Sequence, residues 1–160
     1  MNTTVSIRKA RSTDAGGIVE CLHTAFAPYE QQYTPEAFRD TTLTAETATR
    51  RLSEMTVFVA VDAAGEVVGT IACAVVGGDE GHLRGMAVRP DWQASGVADR
   101  LLETVEDELR RRGCSRVTLD TTVPLQRAVR FYTRHGFRRS GRPAADFFGM
   151  PLFEYVKTLN

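Results

Sequence analysis

The chain has 160 residues, of which 42% are hydrophobic and 25% are charged, and its formal net charge at pH 7 is zero. A chain of this length and apolar content can bury a sizeable core, and we expect one domain over residues 1–160. No apolar run approaches the roughly eighteen residues of a membrane span, and no secretory signal is visible, so we expect a soluble, cytoplasmic protein without a membrane partner.

Hydrophobic periodicity and turn residues predict alternating strands and helices. In chain order, they indicate a strand at 5–8, a helix that is capped at 12–14 and ends at Pro28, helices over 35–43 and 45–52, strands over 57–61, 67–76 and 81–88, a helix that closes at 110–113, a strand over 116–122, a helix from Pro124 to Gly136, a short strand at 137–139, a loop over 141–146, and a closing strand over 152–157. The strands at 57–61 and 67–76 are apolar almost throughout, so both faces of the sheet should be covered. The single helix between the strands at 81–88 and 116–122 implies that these two strands run parallel.

The turn between the strand at 81–88 and the next helix is the first candidate for a binding site. An apolar strand stops at Pro90, and the chain re-enters as a helix with Gly96 in its first turn, which gathers several backbone N–H groups. Residues 1–80 carry 6 basic and 11 acidic side chains, whereas residues 81–160 carry 14 and 9. An anionic partner should therefore bind the second half, unless its arginines only coat exposed helix faces.

Two other ligand classes are disfavoured by composition. No basic run is interleaved with aromatic residues, which argues against nucleic acid. The three cysteines are far apart and form no Cys-x-x-Cys pair, so we expect reduced core thiols and no metal site.

Two motifs resemble the GNAT superfamily of N-acetyltransferases, and the resemblance covers essentially the whole chain. Gln93-x-x-Gly96-x-Ala98, directly after a strand that ends in Met86-Ala87-Val88, is similar to the family's acetyl-CoA pyrophosphate loop. Ala128-x-x-Phe131-Tyr132-x-x-x-Gly136-Phe137 is similar to the family's helix that carries a tyrosine beside the cofactor sulfur. The resemblance implies an α/β (α+β) fold, with a mixed, mostly antiparallel sheet of about six to seven strands, a splayed parallel pair and about four flanking helices.

The resemblance also implies acetyl-CoA as co-substrate and no metal. The pantetheine arm would pair with the open edge of the strand at Met86 and Val88, which requires the parallel strands to splay, with a bulge near Gly85 as a local device. Many members have Asn where this chain has Leu125, and either Gln126 or backbone groups would replace it. The expected cofactor-binding residues are Met86, Ala87, Val88, Gln93, Ala94, Ser95, Gly96, Val97, Ala98, Gln126 and Phe131. The alternative is that Gly96 only relieves a tight turn and Gln93 is a solvated loop residue.

Acetylation of an amine needs the neutral amine, and a lysine-like amine with a pKa of about 10.4 is roughly one part in a thousand neutral at pH 7. His82 is the candidate base, because it titrates in the right range and falls where related histone acetyltransferases carry a glutamate. Glu80, on the same strand face, is the second candidate, and water alone is the third. Tyr132 could protonate the leaving thiolate, or it could be a core aromatic residue.

The acceptor pocket is expected near Tyr29, Tyr33 and Phe147, in loops that carry specificity. We predict an N-acetyltransferase that acts on a primary amine, favouring a small molecule, by direct attack, because neither Ser95 nor Cys114 has the surroundings of an activated nucleophile. The alternatives are a protein lysine or N-terminal acetyltransferase, a non-catalytic acetyl-CoA-binding module, which Leu125 favours, and a nucleotide-binding α/β protein. The exposed sheet edges leave a homodimer open.

Overall fold

The structure is a computed structural model, and it describes residues 4–160. The strands are β1 (Ser6–Lys9), β2 (Thr56–Val61), β3 (Val67–Gly77), β4 (Glu80–Val88), β5 (Arg116–Thr121), β6 (Arg138–Arg139), β7 (Ala145–Phe147) and β8 (Met150–Thr158). The α-helices are α1 (Ala15–Phe26), α2 (Pro35–Thr42), α3 (Ala45–Glu54), α4 (Val97–Arg111) and α5 (Gln126–Arg134), and short 3₁₀ turns lie at Ser12–Asp14, Ala27–Gln32 and Pro90–Trp92. Among these residues, no helix has both the length and the apolar character needed to cross a membrane.

The strands form one mixed sheet in the order β1-β2-β3-β4-β5-β8-β6, with β7 paired to β8. The β4–β5 pair is parallel, as predicted, and every other described pair is antiparallel. The sheet has eight strands where about six to seven were predicted, and there are five α-helices where about four were expected. The extra strand is β7, which overlaps the predicted loop at 141–146. It was missed because it has three residues and forms only through a tight hairpin, whose turn residues Phe148 and Gly149 both have positive φ.

Both faces of the sheet are covered, as the apolar strands predicted. On one side, which we call the α4 face, Leu101, Leu102 and Leu109 of α4 are fully buried in a cluster with Ile71 and Leu83. On the other side, the α1 face, helices α1 and α3 pack on β2, β3 and β4 through the second cluster, which contains Ile18, Cys21, Leu22, Ala48, Val57, Val59, Ala72 and Ala87. All three cysteines are buried and free, which confirms their prediction as core thiols.

The parallel pair separates after three residues. β4 and β5 are paired only from Glu80 to His82, opposite Arg116 to Thr118, and beyond this point the two strands diverge. The predicted splay is therefore present. It opens a gap in the middle of the sheet.

A bulge in β4 determines which side chains face this gap. Thr70 pairs with Ala87 and Ala72 pairs with Arg84, so Ile71 lies opposite two residues, Gly85 and Met86. Gly85 has φ +63°, a value that glycine adopts without the strain of a Cβ. The extra residue reverses the alternation, so that Met86 joins Leu83 on the α4 face while Ala87 packs on the α1 face. The bulge predicted near Gly85 is confirmed.

Candidate active site

A cleft of about 790 Å³ lies at the gap between β4 and β5. It is lined by residues from both faces of the sheet, and it joins three regions. The turn before α4 lies at one end, the paired ends of β4 and β5 lie in the middle, and aromatic residues of the segment after α1 lie at the other end.

The turn before α4 presents a row of unused amide donors. Ala94 and Gly96 both have left-handed backbones, with φ of 62° and 92°, and the helix begins with the hydrogen bond from Arg100 N–H to Gly96 C=O. Across residues 4–160, the N–H groups of residues 94–99 find no acceptor. Unpaired amides at the start of a fifteen-residue helix attract anions, because the helix dipole adds to the N–H charges. Arg127, Arg130 and Arg134 of α5 also line the cleft.

The edge of β4 is open along this cleft. Arg89 N–H donates to Val68 C=O on β3, so by alternation the N–H and C=O of Val88 point into the gap. There the Val88 carbonyl accepts from Nε2 of Gln93 at 3.1 Å. Met86, two residues earlier, has the same orientation. Across the gap, the Thr121 hydroxyl of β5 is buried and has no hydrogen-bond partner among residues 4–160.

His82 lies at the last paired position, with its two nitrogens in different surroundings. Nδ1 is 2.8 Å from Oγ1 of Thr118, and that hydroxyl donates to Gly81 C=O at 3.4 Å. The Thr118 oxygen therefore accepts a hydrogen bond from Nδ1–H, which leaves Nε2 as the basic nitrogen. Nε2 is 3.7 Å from Oδ2 of Asp120. Burial lowers the pKa of His82 below its ordinary 6.5, and the charge of Asp120 partly opposes this shift.

Tyr132 of α5 approaches the same gap from the α4 face. Its hydroxyl donates to the Met86 sulfur at 3.1 Å, and its side chain is buried. Burial raises the pKa of Tyr132, so the phenol keeps its proton at neutral pH. His82 alternates with Gly81 and Leu83, which face α4, and it therefore lies on the α1 face. A phenol O–H donor and a basic nitrogen thus flank the gap on opposite faces of the sheet.

The far end of the cleft is aromatic. Phe26 and Tyr33 pack edge to face, with ring centroids 6.4 Å apart, and Tyr29 and Phe147 contribute to the same wall. The Thr34 hydroxyl donates to Phe148 C=O at 2.8 Å, which ties the segment before α2 to the tip of the β7–β8 hairpin. This bond holds together the two segments that carry Tyr33 and Phe147.

Most of the residues predicted for the site line the cleft, but four of them do not: Glu80, Gln126, Ser95 and Val97. Glu80 pairs with Arg116, with Oε1 3.2 Å from Nε, and is absent from the cleft wall. Gln126 donates from Nε2 to Val123 C=O at 2.6 Å and is exposed, so its amide does not reach into the cleft as a replacement for the expected Asn. Ser95 and Val97 offer only backbone N–H groups, since the Ser95 hydroxyl bonds to Trp92 C=O and Val97 is buried in the core. The remaining predicted residues on the wall are Tyr29, Tyr33, His82, Met86, Ala87, Val88, Gln93, Ala94, Gly96, Ala98, Phe131, Tyr132 and Phe147.

Sequence reasoning missed the residues that complete the surroundings of His82. Thr118 and Asp120 lie on β5, and the parallel crossover was the signal that could have found them, since it sets His82 opposite this strand. Arg51 of α3, which also lines the cleft, gave no local signal. Among residues 4–160, no group of three His, Cys, Asp or Glu side chains is arranged to hold a metal ion.

Comparison with known proteins gives a consistent match. The model of the acetyltransferase (GNAT) family matches residues 18–137. A GNAT-family acetyltransferase from Staphylococcus aureus Mu50 is 17% identical with a TM-score of 0.78, over 98% of this chain and 100% of that one. PaiA N-acetyltransferase from Thermoplasma acidophilum, solved with coenzyme A, is 17% identical with a TM-score of 0.79, over 98% and 99%. Ribosomal-protein-S18-alanine N-acetyltransferase from Escherichia coli is 21% identical with a TM-score of 0.75, over 98% and 95%. At these identities the structural likeness establishes the fold.

Proposed function

This chain belongs to the acetyltransferase (GNAT) family, and we propose that it transfers an acetyl group from acetyl-CoA to the primary amine of a small molecule by direct attack. The observation that carries the proposal is the gap between β4 and β5, which has His82 on one face and Tyr132 on the other. An amine that enters from the α1 face would meet a thioester held from the α4 face.

The residues of the cleft fit coenzyme A. Six unpaired N–H groups at the start of α4 suit a diphosphate, and the absence of a side chain at Gly96 leaves that approach open. The edge of β4 at Met86 and Val88 suits the amides of a pantetheine arm, and the partnerless hydroxyl of Thr121 offers a further bond. When bound, acetyl-CoA supplies the activated acetyl group.

His82 acts as the base in this proposal. Its lowered pKa keeps the imidazole neutral at pH 7, with Nε2 free to accept the proton of the attacking amine. Thr118 holds the ring through Nδ1, and the carboxylate of Asp120, 3.7 Å from Nε2, stabilises the imidazolium that forms. Glu80 is the weaker candidate, because Arg116 pairs with its carboxylate.

Tyr132 acts as the proton donor. Its phenol is protonated at neutral pH, and its present partner, the Met86 sulfur, is a weak acceptor that a leaving thiolate would replace. The hydrogen bond is worth most while negative charge develops on that leaving sulfur, because Tyr132 is buried.

The aromatic end of the cleft supports a small acceptor over a protein. The bond between Thr34 and Phe148 ties together the segments that carry Tyr33 and Phe147 of the cleft wall, whereas a protein lysine or N-terminus needs an open groove for its flanking chain. We also propose that the protein is soluble, which fits a small-molecule substrate.

A second candidate function, acetyl-CoA binding without catalysis, is favoured by one observation. Leu125 lines the cleft where many relatives carry Asn, and the amide of Gln126 is engaged with Val123. Both functions predict binding, and only one predicts turnover.

The test is thiol release from acetyl-CoA over a panel of primary amines, with the acetylated product identified by mass spectrometry. We expect turnover with at least one small amine, and binding of acetyl-CoA in a thermal-shift assay that ATP does not reproduce. Binding without release over small amines and lysine-containing peptides would favour the second candidate. Stabilisation by ATP alone would overturn both.

A further inference from the structure

A half-buried guanidinium without a carboxylate partner lies at the acceptor end of the cleft. Arg51 of α3 lines the cavity beside Gly85. In the part of the chain from residue 4 to residue 160, its side chain takes part in no ion pair or hydrogen bond. A partly buried cation whose donors are unused is costly, which makes the place a ready site for an anion.

The carboxylate nearest to Arg51 is shared with a second guanidinium group. Asp40 makes its ion pair with Arg84, at 3.2 Å between Oδ2 and Nη2, so one carboxylate faces two guanidinium groups. Burial and then the charge of Arg84 lower the pKa of Arg51 to about 10, with Asp40 opposing, and Arg51 is still charged at neutral pH. An anion beside Arg51 would therefore offset both the free-energy cost of burying its charge and its repulsion from Arg84.

The position of Arg51 ties this charge to the reaction centre. Its Nη1 occupies the space that a Cβ at Gly85 would need, on the bulge of β4. Gly85 directly precedes Met86, whose sulfur contacts the Tyr132 hydroxyl on the α4 face, so Arg51 lies on the opposite face of the same stretch of β4. Arg51 approaches from α3, which packs on the α1 face, and His82 lies on that face as well.

The arginines of α5 do not share this position. Arg127, Arg130 and Arg134 line the cleft from the α4 face, near the amides proposed for the diphosphate. Arg51 lies across the sheet from them. It is therefore available to the acceptor rather than to coenzyme A.

We infer that the acceptor amine carries its own carboxylate, and that Arg51 binds this carboxylate while the amine faces His82. The inference rests on the proposed function and narrows the acceptor to small amino acids. A planar guanidinium suits a carboxylate because two parallel N–H···O bonds form at once. Phe26, Tyr29 and Phe147 would contact an apolar or aromatic side chain of the substrate.

The test uses matched ligands that differ at the carboxylate. L-Phenylalanine, L-methionine and L-leucine are each compared with their amides and their decarboxylated amines, by calorimetric binding to the full chain in the presence of coenzyme A. We expect the best acid to bind at least tenfold more tightly than its amide and its decarboxylated amine. Equal binding of acid and amide, or no binding of any acid, would overturn the inference.

Variants of Arg51 show whether this side chain causes the preference for the acid. Arg51→Gln should abolish the preference for the acid, Arg51→Lys should keep part of it, and Arg50→Gln is the matched control, since Arg50 is the exposed neighbour on α3 and absent from the cleft wall. A preference that survives in Arg51→Gln would also overturn the inference. If Arg51→Gln does not fold, the inference is still tested by the ratio of the Kd values of amide and acid, measured in the wild type and in Arg51→Lys.

Thiol release, measured in parallel, separates this inference from the proposed function. Acid-selective binding through Arg51 without any thiol release overturns the acetyl transfer and supports the carboxylate site. Thiol release that is equally fast with acids and amides supports the acetyl transfer and overturns the carboxylate site.

Discussion

Nδ1 of His82 lies 2.8 Å from the hydroxyl of Thr118, at the last position where β4 and β5 are still paired. Because that hydroxyl donates to Gly81 C=O, it fixes the proton of the neutral imidazole on Nδ1. The basic nitrogen then faces Asp120 beside the gap. The parallel pairing therefore determines which histidine nitrogen can accept a proton.

Replacement of His82 tests its role as the base. In the wild type, kcat/KM should fall as the pH drops through the lowered pKa of His82, below 6.5, because only the neutral imidazole accepts a proton. His82→Gln should reduce kcat by about 10²-fold or more and remove this acidic limb, while the Kd of acetyl-CoA stays unchanged. A variant with the wild-type rate and pH profile would exclude the role.

Replacement of Asp120 tests the charge beside Nε2. Asp120 raises the pKa of His82 against the larger effect of burial, so Asp120→Asn should move the acidic limb to lower pH. It should also reduce kcat, because the imidazolium loses its counter-charge. The measurement is kcat/KM against pH for both proteins, and a limb that moves to higher pH would contradict the assignment.

Removal of the Tyr132 hydroxyl tests the proton donor. Tyr132→Phe keeps the ring in the core and loses only the bond to the Met86 sulfur. We expect acetyl-CoA to bind as before and kcat to fall by about tenfold or more. Steady-state rates with a calorimetric Kd give both values. Full activity would assign Tyr132 to packing alone.

The bulge at Gly85 can be tested by adding one methyl group. Gly85→Ala needs a left-handed backbone and places its Cβ against Arg51, so we expect a loss of about 1–2 kcal/mol in the free energy of unfolding and a lower kcat. Gly77→Ala is the control, because its Cβ would contact nothing within 4 Å. Urea unfolding of both variants measures the difference. Equal effects would show that the bulge is not specifically constrained.

The sequence predicted the helices and strands that show hydrophobic periodicity. It missed the contacts that depend on how neighbouring strands align. The parallel direction of β4 and β5 followed from the short crossover, and the bulge was suggested by Gly85, whereas the splay was implied only by the family resemblance. The role of Asp120 depends on how β5 aligns with β4, which no local pattern encodes. Glu80 was predicted on the same face as His82, but the same alignment gave it Arg116 as a partner. Arg51 lies on α3, about thirty residues before His82 in the chain, so no local pattern connects the two.

The most direct test of the account is a backbone amide NMR titration of the full chain with coenzyme A. We predict that the largest N–H shifts fall on residues 94–99, and that pantetheine, which lacks the diphosphate, leaves these six signals unmoved. Binding of coenzyme A that leaves residues 94–99 unshifted, or no binding at all, would contradict the central claim that the start of α4 holds the diphosphate.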